Sequence, residues 1–304
     1  MHLAVVAPAG GYKCPALLEP IMLLDLLELC GNTTAAAKAL NTSQPTISRK
    51  TRYLVDDLSL EIKVKPRANE LRYAYNNCLD LLRQAAQVHR LQDVNWRVGC
   101  SLWQRVAVET LQPWVADIYD FKHPYIWREL VRAHVLDAAV VSGFDLQICL
   151  DDAITENALD IKWDDCLLIP ITETKLGLML PAKLREEPKK WSEIIVPPQQ
   201  DAPGLAAMVR QQQWQCVHAP KKCKTANDWA SFIEEKGLPV IANKLFLAKI
   251  KAESKSWYWR EWPCESKDQQ WLMVLNEKWQ KHAGLELLLL QLREVFTVFY
   301  SNTE

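Results

Sequence analysis

The sequence predicts an α/β chain in two unequal parts: a small, mainly helical unit with a helix-turn-helix, then a connecting helix and a two-lobed α/β body. Three observations predict it. Between residues 17 and 58, apolar residues recur at helical spacing in three segments separated by Gly31-Asn32 and Asn41-Thr42-Ser43. From about residue 95 onward, short apolar runs alternate with helical stretches, as βαβ units do. At 304 residues the chain is about twice the length of a typical single domain.

The first helix is expected over Leu17 to Cys30, where Leu23, Leu26, Leu27 and Cys30 fall at i, i+3, i+4 and i+7. Gly31-Asn32 breaks it, and Asn32 or Thr33 can cap a second helix, Thr34 to Leu40. The small pair Ala36-Ala37 lets that helix approach its neighbour closely. Ser43 caps a third helix running to about Asp57, with Pro45 in the first turn, where its missing N–H costs nothing. Ile47, Thr51, Leu54 and Leu58 share one face. Pro45, Ser48, Arg49 and Arg52 project from the other, with Thr46 beside them. A helix packed on one face and carrying Ser, Thr and Arg on the other suits a DNA major groove, where Gln pairs with adenine and Arg with guanine. Periodicity alone equally describes an amphipathic helix with a solvated charged face. The stretch Gly31 to Arg72 holds eight basic and four acidic residues, while the whole chain has a net charge of −1. Phosphate binding requires such a local basic excess. Ile62-Lys63-Val64-Lys65 alternates like a strand, 66–69 turn, and Glu70 to Tyr73 return, which places Lys65 and Arg67 at the tip of a wing.

The exact residues favour the DNA reading. The run Gly31-Asn-Thr-Thr-Ala-Ala-Ala-Lys-Ala-Leu40, then Ser43-Gln-Pro-Thr-Ile-Ser-Arg49, then Tyr53-Leu54, resembles the helix-turn-helix of LysR-type transcription regulators. The resemblance covers about 40 residues. It implies a winged helix-turn-helix over residues 17–73, behind an extension over 1–16. It also implies DNA contacts from Thr34, Gln44, Pro45, Thr46, Ser48, Arg49, Lys50, Arg52, Lys65 and Arg67. The chain departs from the family at Leu54-Val55, where Leu-Glu is usual, and at Leu60-Glu61-Ile62-Lys63, where the wing usually opens Leu-Phe-x-Arg. The usual Thr-x-x-Gly before the linker helix is absent.

Tyr75, Leu79, Leu82, Ala86 and His89 step by four, three, four and three, a heptad seam of about two turns of the repeat. The resemblance implies that this linker helix, 74–92, pairs two chains into a dimer and that dimers join into a tetramer.

Residues 93–304 read as the body. Strands are expected at Trp96 to Ser101 and Leu136 to Ser142, with helices over Trp103 to Tyr119 and Tyr125 to Val135 between them. Further strands fall at Asp165 to Pro170, Thr174 to Leu180, Cys216 to His218, Pro239 to Ala242 and Trp271 to Leu275, with Trp191 to Pro197 also in the second lobe. Helices fall at Ala206 to Gln213, Ala226 to Glu235 and Ala283 to Tyr300. The pattern resembles the family's periplasmic-binding-protein-like effector domain, with one lobe from about 93–165 and 266–304 and the other from about 166–265. Ligands of such sheets sit at the carboxyl ends of strands. Ser101, Leu102, Trp103, Gln104, Ser142 and Gly143 are therefore the expected effector-binding residues, although Ser101 also reads simply as a helix cap. The aromatic cluster Trp257, Trp259 and Trp262 reads first as packing, with stacking on a ligand or partner as the sharper alternative.

Composition bounds the rest. Hydrophobic residues make up 49% and charged residues 24%, as in ordinary globular chains. No run approaches the ~20 apolar residues of a membrane span, and Met1 to Tyr12 lacks the basic start of a signal peptide. Nine scattered cysteines without a C-x-x-C pair suit reduced thiols in a bacterial cytoplasm. Cys216, His218 and Cys223 lack a fourth ligand at motif spacing, so no metal is expected. The nucleotide, hydrolase and metalloprotease motifs are absent, and neither enzyme activity nor a cofactor is expected. Two functional readings remain. One is a regulator with a small-molecule effector in the interlobe cleft. The other is a diverged relative whose body binds a protein partner instead.

Overall fold

The computed structural model describes residues 14–63, 70–111, 122–150, 161–181, 192–253, 257–261 and 267–301. The first unit holds α1 (Glu19–Cys30), α2 (Thr33–Ala39) and α3 (Gln44–Asp57). Gly31 ends α1 at φ +73°, returning its N–H to the Leu27 carbonyl, in the left-handed conformation glycine enters at least cost. Asn32 caps α2 by accepting the Ala35 N–H, and Ala36 and Ala37 are buried where α2 meets its neighbours. The base of the wing is present. Ile62 bridges Tyr73 antiparallel, and Lys63 N–H donates to the Arg72 carbonyl at 2.9 Å. The expected tip, with Lys65 and Arg67, lies outside the described residues.

α1 differs from the single apolar stripe read from its sequence. Leu23, Leu26 and Leu27 pack with Ala36, Ala37 and Ile47. Ile21 and Leu24 pack with Leu60, Tyr73 and Leu79. Leu29 enters the core of the body beside Trp127 and Leu130. A helix apolar on every side is buried on every side, so α1 is shared by the first, helical unit (the reader of the expected DNA-binding role), the linker and the body. Glu28 adds a polar clasp. Its carboxylate accepts the N–H groups of Arg72 at 2.7 Å and Tyr73 at 3.0 Å, pinning the returning wing strand onto α1.

The linker α4 (Asn77–Gln92) starts at Asn76, whose side-chain oxygen accepts the Leu79 N–H and whose amide donates to the Leu58 carbonyl at the end of α3. Behind it lie β1 (Val98–Cys100), α5 (Arg105–Glu109), α6 (Pro124–Arg132), β2 (Ala138–Ser142), α7 (Gly143–Cys149) and β3 (Ile161–Trp163). Next come β4 (Cys166–Pro181), β5 (Glu193–Val196), α8 (Pro203–Gln211), β6 (Gln215–His218), α9 (Ala226–Lys236), β7 (Val240–Asn243) and α10 (Lys244–Glu253). The chain closes with β8 (Trp257–Glu261), β9 (Lys267–Leu275), α11 (Asn276–Trp279) and α12 (Ala283–Ser301).

The strands run β1-β2-β9-β4-β7-β5-β6, with β3 and β8 paired to β4. β1 and β2 are parallel, β9 is antiparallel to β2 and β4, and β5 is parallel to β6 and β7. The two strands expected at 165–170 and 174–180 are thus one strand. β4 pairs with β9 along both segments, with a register shift between Pro170 and Thr172. Its first half belongs to the first lobe and its second half, paired with β7 and β8, to the second. Of the tryptophan cluster, Trp257 is buried in the second lobe's core with Trp259 packed against it, a packing role; Trp262 lies outside the described residues.

Charge, as well as apolar contact, joins reader to body. Asp25 on α1 is fully buried; it accepts from Arg83 Nε of α4 at 2.7 Å and from Arg97 Nη1, beside β1, at 2.5 Å. Two turns further along α4, Arg90 grips Asp137 through Nη2 at 2.8 Å and Nε at 3.2 Å, and Asp137 also accepts the Arg97 N–H at 2.7 Å. Val94, between α4 and β1, takes a left-handed φ of 54°, a strained conformation for a β-branched residue that the surrounding contacts must hold.

Removing one partner of a buried pair leaves the other charge uncompensated. Asp25→Asn, which removes the carboxylate that Arg83 and Arg97 share, is expected to lower unfolding free energy by about 3–5 kcal/mol in urea titration. A loss below about 1 kcal/mol, the value of an exposed pair, would show that water reaches this site.

Candidate nucleic-acid interface and sensor cleft

α3 is built as a two-faced helix. Ile47 and Thr51 are buried, and the Thr51 hydroxyl returns to the Ile47 carbonyl at 2.8 Å, so its polar atom needs no outside partner. Ser43 caps the helix, accepting the Thr46 N–H at 3.3 Å and pairing with the Thr46 hydroxyl at 2.8 Å. Gln44, Pro45, Arg49, Lys50 and Arg52 are exposed; Thr46 and Ser48 are half-buried. Gln44 donates to the Thr33 hydroxyl at 3.0 Å, tying the start of α3 to the start of α2 beside the exposed Thr34. The eight described positions expected to touch DNA therefore gather on the outer side of α2 and α3. Three are cationic, in a geometry that can present donors to phosphates and base edges at once.

The expected dimer seam needs correction. Leu79 is 2% and Ala86 4% exposed, and Leu79 packs in this chain's own core with Leu82 against it. Tyr75 precedes the helix and is 83% exposed, while His89 is half-buried. At Leu79 the heptad reading fell on the face of α4 that packs against α1. The outward face of α4 carries Cys78, Leu81, Ala85 and Val88, a second three-four stripe one position out of register. Leu81 is 57% exposed.

The expected effector residues are brought together, but around no open space. Leu102 and Trp103 are buried in the core of the second lobe, with Trp103 6.3 Å from Phe246 between ring centres. Ser101 bonds Gln104, whose amide donates to Gln270 Oε1 at 2.9 Å. Gln270 in turn donates to Asp268 Oδ2 at 2.7 Å and to Thr174 Oγ1 at 3.1 Å. Asp268 Oδ1 accepts from the Ser142 hydroxyl at 2.9 Å and from the Gly143 N–H at 3.0 Å. An internal carboxylate thus holds the turn where an effector was expected.

A second internal carboxylate spans the lobes. Asp145, on α7 of the first, accepts the N–H groups of Gly204 at 3.0 Å and Leu205 at 3.4 Å at the start of α8 in the second. This is the helix end that favours negative charge. The backbones touch there: a Cβ on Gly204 would stand 1.7 Å from the Phe144 carbonyl oxygen. The space left is about 20 Å³, lined by Ser101, Gln104, Ser142 and Asp145 among others, enough for about one water molecule. Burial, and then the charge of Asp268, raise Asp145 to about 7. Burial raises Asp268 to about 6 against the pull of its hydrogen bonds.

Other sequence candidates resolve simply. His218 Nδ1 faces the Pro197 carbonyl at 2.9 Å, the Cys216 thiol donates to Ala206 and the Cys223 thiol to Asp228 carbonyl oxygens. Among the described residues no group of three or more His, Cys, Asp or Glu side chains gathers to hold a metal. Burial pushes Cys100, Cys149 and Cys166 up to about 12, so these thiols stay protonated at neutral pH. No described helix is long and apolar enough to cross a membrane.

Asp145 and Asp268 were missed from sequence because each is an ordinary acidic residue until the fold sets it against a helix start. Asp145, raised above its unfolded value of 3.8, contributes stability in acid that is lost as pH climbs towards 7. Asp145→Asn should therefore raise the melting temperature more at pH 8 than at pH 5. It should also flatten the melting-temperature profile between those values, leaving the smaller slope of Asp268. Parallel wild-type and variant profiles would show that the carboxylate is solvated.

No protein-family model matches this chain, and no curated protein sequence matches it. Solved structures similar to it include a full-length OxyR variant from Pseudomonas aeruginosa, at 12% identity and TM-score 0.47, covering 93% of this chain and 96% of that one. Another is full-length CbnR complexed with its target DNA, at 12% identity and TM-score 0.47, covering 91% of this chain and 99% of that one. A third is CbnR described as a LysR family transcriptional regulator, at 13% identity and TM-score 0.45, covering 91% and 98%.

Proposed function

We propose that the chain is a sequence-specific DNA-binding transcription regulator of LysR type that reads a partly palindromic site as a dimer or tetramer. The observation that carries this reading is α3. It is anchored through Ile47 and Thr51, and it turns outward the Gln44, Pro45, Ser48 and Arg49 that match the family's recognition helix. In a dimer two such helices meet successive major grooves, and the wing residues Lys65 and Arg67 supply phosphate or minor-groove contacts. The outward stripe of α4, with Leu81 at its centre, is the surface on which two copies pair.

The sensing half favours the second reading from the sequence, a body that takes a protein partner. The observation behind it is the filled cleft: an effector at Ser101, Gln104, Ser142 and Gly143 would have to displace Asp268 and part Asp145 from α8. A ligand can shift this arrangement only by binding the parted lobes better than the closed ones.

In vitro selection from random duplexes, followed by titration of the selected and a scrambled sequence, tests the DNA reading. Arg49→Ala should cost about 1–3 kcal/mol on the selected site and little on the scrambled one. Neutralising Lys65 and Arg67 should weaken both alike and make the salt dependence shallower. Failure to enrich any sequence would refute specific reading. Leu81→Asp should shift the protein towards monomer in sedimentation; unchanged assembly would place the interface elsewhere.

A further inference from the structure

The interlobe cleft is full, but the junction between reader and body holds a cavity of about 630 Å³, within the range of small-molecule sites. Its walls come from the helical unit and from both lobes of the body. α1 supplies Leu27, the wing base Ile62 and Leu71, and α6 Ile126 and Leu130; turns at 198–201 and 221–224 of the second lobe close the far side. These side chains give it an apolar floor. Its polar rim is dominated by cations: Lys63, Arg72, Lys122, Lys221 and Lys224, against Glu28, Glu70 and Asp201. The acids are engaged within the chain. Glu28 accepts two backbone N–H groups and lies 3.7 Å from Arg83, and Glu70 lies 3.8 Å from Lys63. His123, on the same wall, accepts the Tyr125 N–H through Nδ1 and stacks on that ring, so it presents a ring edge rather than a charge.

We infer that this junction is a binding site for a small organic anion, with an apolar body on the α1–α6 floor and a carboxylate or phosphate group on the Lys221 and Arg72 side. The site adjoins the cleft, sharing Lys122 and Asp201 with it, but is larger and differs in chemistry, and it does not depend on the DNA reading. Its occupant touches α1, the base of the wing and both lobes at once. Arg72 also donates to the Gly31 carbonyl at the end of α1 at 3.1 Å, so an anion that draws on its guanidinium acts directly on the α1–α2 turn. Binding energy spent here biases the angle of the reader without opening the lobes, the differential contact that coupling between sites requires.

Melting of the full chain, without DNA, tests this with three probes at matched ionic strength: inorganic phosphate, citrate and benzoate. A ligand that binds only the folded state raises the melting temperature with its concentration. We expect at least one probe to raise it by several degrees over sodium chloride. A response to phosphate alone assigns a phosphate group; a response to citrate or benzoate alone assigns a carboxylate. Lys221→Glu, at an exposed position, should leave the unliganded melting temperature unchanged and weaken the response at least tenfold in concentration. Arg72→Gln should weaken it as well, and Asp145→Asn, in the cleft, should leave it intact. No response beyond chloride from any probe would overturn the proposal. So would a response that survives Lys221→Glu and Arg72→Gln, or one lost in Asp145→Asn.

Discussion

A carboxylate sealed from water must be matched by cations at hydrogen-bond distance, and the architecture of this protein follows from where Asp25 finds them. Asp25 sits mid-helix in α1, among leucines that leave it no route to solvent. Its two partners come from different parts of the chain, Arg83 of the linker and Arg97 of the body. Burial lowers the pKa of Arg97, and the neighbouring Arg90 lowers it further; Asp25 and Asp137 offset that cost. The reader cannot swing away from the body without exposing or stranding these charges. Such pairs contribute less to net stability than to fixing one arrangement over its rivals. Here the arrangement fixed is the angle between the helical unit that carries α3 and the α/β body.

The same rule closes the cleft between the lobes. Helix starts and tight turns present N–H groups that favour negative charge, and in this chain Asp145 and Asp268 supply it from within. Each accepts two or more N–H or hydroxyl donors. The closed lobes need no external anion to satisfy those donors. Meanwhile the Leu102-Trp103 pair, which would line an open cleft, is buried with Phe246 and Trp229 in the second lobe. A space of about 630 Å³ lies instead at the junction of the body with the helical unit.

The helix-turn-helix was legible because its signals are local. Gly31 as terminator, Asn32 and Ser43 as caps, and Ile47 and Thr51 as the inner face of α3 all follow from neighbours within four residues. The alternation of strands and helices in the body was legible for the same reason. What failed depended on distant partners. A heptad read on α4 could not reveal that α1 already covers Leu79. The break at Pro170-Ile171-Thr172 looked like a strand end, but pairing with β9 carries the strand through as a local register shift. Ser142 and Gly143 were correctly placed at the end of a strand, but nothing nearby in sequence indicated that Asp268, more than 120 residues later, holds them.

The docking of the reader onto the body through Asp25 is the central claim, and scanning calorimetry of the full chain addresses it most directly. If α1 is shared by both parts, they unfold together, in one transition whose calorimetric and van't Hoff enthalpies agree. Two resolved transitions in the wild-type protein, one matching the isolated loss of the small helical unit, would contradict the account.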